Sequence, residues 1–99
     1  MSTDYQFEWD PNKAKSNLKK HKVSFENAAS VFKDKNAITI FDDEHCASED
    51  RWITIGLDSD TNVLIVVHTF TKPDADHVTI RILSARKATS RETKVYFGG

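Results

Sequence analysis

The chain has 99 residues, 38% hydrophobic and 29% charged, with three glycines, two prolines and a single cysteine, Cys46. That length suits one domain over residues 1–99 with a modest core, and the composition excludes fibrous and intrinsically disordered classes. One cysteine excludes an intrachain disulfide and fits a reducing compartment, while a formal net charge of −1 argues against a bulk electrostatic nucleic-acid binder.

At the amino terminus, MSTDYQFEWD lacks the basic-then-apolar build of a signal peptide. No apolar run approaches the roughly 20 residues of a membrane span, so the expected location is the cytoplasm with no membrane partner. Tyr5, Phe7 and Trp9 alternate with polar residues and predict a first strand. Asp10-Pro11 then reads as an N-cap and first helical residue, opening a helix to about His21 whose apolar stripe is Ala14 and Leu18. Ser24 is a second N-cap candidate, before Phe25, Ala28, Ala29 and Phe32 at helical spacing.

Ala37 to Phe41, Arg51 to Leu57 and Asn62 to Phe70 are β-favouring runs bounded by polar turns. His77 to Ile82 alternates as another strand, with a turn expected over Thr71–Asp74. Ser84-Ala85-Arg86-Lys87 reads as a basic loop, and Thr89 with Glu92 has the spacing of a capping box that opens a short terminal helix. The order β-α-α-β-β-β-β-α predicts an α+β domain with helices on a mainly antiparallel sheet. Pairing Ile53, Ile55 and Leu57 with Val67, Ile65 and Val63, and those with Val78, Ile80 and Ile82, gathers nine aliphatics beneath the helices. The opposite face would then be open and carry Trp52, Thr54, Leu64, Val66, His68, His77, Thr79 and Arg81, with Gly56 leaving room above Arg81.

Charge is uneven along the chain. Lys13, Lys15, Lys19, Lys20 and Lys22 form one basic block, and Arg81, Arg86, Lys87, Arg91 and Lys94 another against the single acid Glu92. Between them Asp42, Asp43, Glu44, Glu49 and Asp50 form an acidic block. Basic blocks brought together would bind polyanion phosphates; kept apart they are solvated faces. On the expected open face Trp52 could stack on a base and Arg81 hold a phosphate. The alternative packs Trp52 under the terminal helix and pairs Arg81 with Glu49 or another acid.

Of the histidines, His68 and His77 would face each other across a hairpin, and His21 would end the first helix, where the dipole favours its charge. His45-Cys46 beside Asp42 and Asp43 matches no established ligand spacing, so no metal site and no cofactor are expected. No motif of a covalent nucleophile occurs. RNA cleavage needs none, because the substrate's 2′-hydroxyl can attack its own phosphate if a base, a cationic clamp and an acid are at hand. His21, His68 or Glu49 could be the base, Arg51, Arg81, Arg86 and Lys87 the clamp, and a histidine or Tyr96 the acid.

Three segments, FEWDPNKAKSNLKKHKVSFENAASVF, EDRWITIG and IRILSARKATSRETKVY, together resemble the BrnT family of bacterial toxins over nearly the whole chain. The resemblance implies a RelE-like fold and a ribonuclease that blocks translation. It also implies a BrnA-like ribbon-helix-helix antitoxin that reaches operator DNA in complex with the toxin, as a dimer or a 2:2 heterotetramer. By motif position it implies catalytic roles for His21, Glu49, Arg51, Arg81 and Arg86. Lys20, Ser84 and Lys87 then join Trp52 and His68 as RNA contacts. A second class of function stays open, a binding module with weak or lost nuclease activity that serves autoregulation of the operon. Lys22 departs from the glycine expected after KH, which would end the helix more readily in a left-handed conformation.

Overall fold

The computed structural model describes residues 4–42 and 50–98. In chain order these form β1 (Asp4–Glu8), α1 (Pro11–His21), α2 (Phe25–Ser30), a 3-10 turn (Val31–Lys33), β2 (Ile38–Phe41), β3 (Trp52–Leu57), β4 (Val63–Asp74), β5 (His77–Lys87) and α3 (Ser90–Tyr96). The three helices pack on one five-stranded sheet, ordered β1-β5-β4-β3-β2. All neighbours are antiparallel except β1, which runs parallel to β5.

Helix starts follow the side chains that can satisfy free amides. Asp10 accepts from the Asn12 N–H at 2.8 Å and Ser24 from the Asn27 N–H at 3.1 Å. Thr89 and Glu92 complete a reciprocal capping box. Lys22 ends α1 in the left-handed region, φ 61, its N–H on the Leu18 carbonyl. The lysine therefore adopts the conformation expected of glycine and bears its steric cost.

The expected β3–β4 register is observed, with Ile53 opposite Val67, Ile55 opposite Ile65 and Leu57 opposite Val63. The β4–β5 register is not. β4 continues to Asp74, which pairs with His77, so the turn lies at Ala75–Asp76 and Ile80 opposes Phe70 instead of Ile65. That odd shift sends every following side chain to the other face. A bulge then intervenes, because His68 pairs with Ile82 but Val67 with Ser84, leaving Leu83 as the extra residue. β5 also runs through Ser84–Lys87, the stretch expected as a loop.

The nine aliphatics are consequently split between two layers. Val78, Ile80 and Ile82 join Leu64, Val66 and Ala85 beneath α1 and α2, packed with Phe25, Ala28 and Val31. Ile53, Ile55, Leu57, Val63 and Ile65 lie on the other face, beneath α3 and Tyr96. The expected open face is thus largely the main core, with Thr54, Leu64, Val66 and His68 all buried. Gly56 opposes Leu64 but opens no space near Arg81. A Cβ there would meet Val31 Cγ1 at 2.9 Å and Ala37 Cβ at 3.0 Å.

α1 is held differently from its expected stripe. Leu18 is half exposed, and the buried residue is Asn17. Its amide donates to the Val23 carbonyl at 3.0 Å and the Ala85 carbonyl at 2.8 Å, and its Oδ1 accepts from the Ala85 N–H at 3.1 Å. One side chain thereby ties the helix to the chain leaving it and to β5 just past the bulge, where strand pairing is interrupted.

Candidate functional site

On the α3 face, the part of the sheet that α3 leaves uncovered forms an open depression of about 470 Å³. Ile53, Ile65, Val67 and Leu83 supply its apolar floor, and Lys13, Asp42, Arg51, Ser84 and Arg86 supply its polar lining. Each has a local cause. The Asp42 N–H donates to the Arg51 carbonyl at 2.9 Å, extending the β2–β3 pairing by one step and setting the two residues side by side. The bulge turns Ser84 to the same face as Val67. Asn17 anchors α1 across β5, and Lys13, one turn earlier on the helix, reaches the rim.

Arg51 carries the least satisfied group. Its Nε is buried and has no hydrogen-bond partner among the described residues, a costly state for a guanidinium nitrogen. An incoming anion would supply what is missing. Arg86 is engaged already, its two terminal nitrogens each 2.8 Å from a Glu92 oxygen. That fork holds the Glu92 carboxyl down at about 2, helped by the Thr89 N–H, and raises Arg86 in turn. Three cations and one carboxylate therefore line the depression, with one cation internally neutralised.

Arg51, Ser84 and Arg86 are thus brought together as a site. Lys13 and Asp42 belong with them, though the sequence marked Lys13 only as the start of the first basic block and Asp42 only as the start of the acidic one, beside His45-Cys46. Glu49, with Asp43, Glu44, His45 and Cys46, lies outside the described residues. Lys20 and His21 end α1; His21 is eight residues from Lys13, about 12 Å of helical rise, and does not line the depression. Arg81 faces the same side farther along β5, 3.6 Å from Glu8 Oε1, so it does pair with an acid. Lys87 is exposed at the end of β5.

Trp52 and His68 occupy the opposite face. They line an apolar pocket of about 310 Å³ with Tyr5, Phe32, Phe70 and Thr39. Trp52 packs edge-on to Phe41, not under the terminal helix. His68 is 2% exposed and opposes Ile82, not His77; His77 instead sits 2.6 Å from Asp74. The His68 Nδ1–H donates to the Thr69 carbonyl at 3.2 Å, so Nε2 accepts from the Thr54 hydroxyl at 2.8 Å, which in turn accepts from Thr39 at 2.8 Å. Burial pushes the His68 pKa down against the raising effect of the Thr69 bond. A ring so enclosed presents no free face for the RNA contact or the base role expected of it.

Tyr96 is also removed from acid chemistry. Its hydroxyl donates to Asp34, and that bond, with burial, pushes its pKa up to about 12. Burial alone would raise Asp34. The Leu57 N–H at 2.8 Å, the Tyr96 hydroxyl and the Asn36 N–H together outweigh it and hold the carboxyl below its ordinary range. Asp34 is therefore a structural clasp between the 3-10 turn, β3 and α3.

The fold is that of a class of small α+β toxins. It matches the 1.1 Å crystal structure of the Brucella abortus ribonuclease toxin BrnT with a TM-score of 0.61, at 19% identity, over 88% of this chain and 100% of that one. The family model for BrnT, ribonuclease toxin of type II toxin-antitoxin systems, matches residues 9–92, and the chain belongs to that family. Among curated proteins, none matches the sequence significantly.

Proposed function

We propose that this chain is an active endoribonuclease of RelE-like fold, a single cytoplasmic domain that cleaves RNA without a metal and so inhibits translation. A BrnA-like ribbon-helix-helix antitoxin neutralises it, and the pair represses its own operon. The observation that carries the catalytic part is the buried Arg51 Nε, unsatisfied among the described residues, in a depression shared with Lys13, Ser84 and a carboxylate.

A phosphodiester seated there would place its non-bridging oxygens against Arg51 and Lys13, with the Ser84 hydroxyl as a further donor. As the 2′-hydroxyl attacks, charge grows on those oxygens, and cations already fixed above an apolar floor stabilise it more than water would. Asp42 is the described carboxylate within the depression and the candidate acceptor for the 2′ proton; the leaving 5′ oxygen takes its proton from Lys13 or water. A 2′,3′-cyclic phosphate and a 5′-hydroxyl result.

Incubating antitoxin-free protein with a defined RNA in EDTA tests the chemistry, alongside the same RNA bearing a 2′-deoxy residue at the mapped cut. The expected result is a cyclic phosphate product that is lost at the deoxy position. Arg51→Ala should lower cleavage about 100-fold with unchanged thermal unfolding. Cleavage that needs a divalent ion, or that survives the deoxy substitution, would overturn the mechanism. One observation favours the second reading, a binding module: Arg86 spends its fork on Glu92, which leaves fewer donors for a transition state. Tight partner binding with no cleavage of free RNA or of RNA on ribosomes would select it.

A further inference from the structure

β2 is an outer strand of the sheet, and all four of its residues are exposed. Edge strands are normally guarded by a charge, a proline or a bulge. Ile38-Thr39-Ile40-Phe41 has none of these and pairs with β3 in unbroken register. Because the Asp42 N–H is turned to Arg51, alternation turns the backbone groups of Ile38 and Ile40 to β3 and those of Thr39 and Phe41 outward. The 2.8 Å approach of the Thr39 and Thr54 hydroxyls agrees, since non-hydrogen-bonded pairs bring side chains closest. Two N–H and two C=O groups thus point away from the sheet.

Beside this edge, an apolar groove of about 260 Å³ runs between β2 and α3, lined by Ile38, Ile40, Ile55 and Val95. Ile40 is 55% and Val95 61% exposed. The groove shares Ile53, Ile65 and Arg86 with the cationic depression, so the two form one continuous track. We infer that this track docks an extended segment of the toxin's protein partner. The segment lies as a sixth strand along β2, sets an apolar side chain into the groove at every second position, and ends in a carboxylate on Arg51.

Charge complementarity favours this occupant over a second copy of the chain. In a symmetric antiparallel pairing of two β2 strands, the Arg51 end of one meets the Ile38 end of the other. The residues there, Lys35 and Asn36, carry no carboxylate, so Arg51 Nε would stay without an acceptor. That the docked segment also blocks cleavage rests on reading the depression as the RNA site; the docking itself does not.

The test uses the whole ¹⁵N-labelled chain and a blocked synthetic peptide, Lys-Lys-Val-Thr-Val-Thr-Val-Glu-Glu. Saturable binding is expected, with amide exchange at Thr39 and Phe41 slowed about tenfold or more and β1 unaffected. Ile40→Lys should weaken binding about tenfold, and replacing both peptide glutamates by glutamine about fivefold on the wild type but not on Arg51→Gln. No binding at millimolar peptide, or binding that leaves Thr39 and Phe41 unchanged, overturns the proposal. So does protection of those amides that rises with protein concentration alone, which would identify a second copy. RNA cleavage in the same samples separates the two readings. Peptide bound with cleavage undiminished refutes the RNA site and leaves the docking; cleavage intact with no peptide bound does the reverse.

Discussion

Glu92 serves two structures at once, capping α3 through the Thr89 N–H and holding Arg86 in the depression. Its folded pKa of about 2 lies below the ordinary 4.5, so its contribution is complete above about pH 4.5 and is lost as pH falls towards 2. Arg86 is 41% and Glu92 32% exposed, so solvent screening limits that contribution to about 1 kcal/mol. Glu92→Gln keeps the capping geometry and removes the charge. It should cost about 1 kcal/mol at pH 7 and nothing near pH 2, measured by urea unfolding across pH. His68 acts in a higher window. Its folded pKa is depressed below 6.5, so the unfolded chain binds the proton first and stability falls as pH drops below about 6.5. His68→Leu should flatten the stability profile between pH 6.5 and 5, and an unchanged slope would refute the assignment. Neither behaviour was legible in the sequence. Glu92 was visible as a cap but not as the partner of Arg86, and His68 looked like a surface residue because its face depended on a register that the turn later displaced.

At the scale of elements, local signals were read well and register poorly. Asp10, Ser24 and the Thr89–Glu92 box mark helix starts because capping is settled within four residues. The β3–β4 hairpin was legible because its turn is compact, with Asp58 accepting from the Asp60 and Asn62 amides. The β4–β5 hairpin was not. Thr71–Asp74 has turn-like residues, yet Asp74 can also bond the Asp76 N–H and pair with His77, and nothing in an alternating pattern announces an extra residue such as Leu83. Just past the bulge, Asn17 holds both backbone groups of Ala85, and the apolar stripe read for α1, Ala14 and Leu18, gave no sign of it. Asn17→Ala would leave the Val23 carbonyl and both backbone groups of Ala85 without those partners and should cost roughly 3 kcal/mol, read by chemical denaturation. A loss below about 1 kcal/mol would show that water replaces the amide.

Over the whole molecule, a near-neutral sum conceals a directed field. The first basic block contributes Lys13 to the depression, while Lys20 and Lys22 stay exposed at the other end of α1; the second contributes Arg86 but directs Arg81 to Glu8. The basic blocks therefore meet in part, through Lys13 and Arg86, joined by Arg51 from outside both, and sequence distance could not show which members would converge. If Lys13 and Arg51 each neutralise one phosphate, removing either should flatten the salt dependence of RNA binding by about 0.7 in log–log slope. Titrations of a non-cleavable 2′-deoxy RNA at several salt concentrations would measure it, and an unchanged slope for Lys13→Ala would remove that lysine from the contact set.

The parallel seam between β1 and β5 has a consequence for how the molecule comes into being. Asp4–Glu8 pairs only with His77–Arg81 among the described strands, so β1 is made long before the strand that holds it. Glu8, which holds Arg81, waits with it. A ribosome making this chain therefore carries an unfinished sheet from the making of β1 until β5 has emerged.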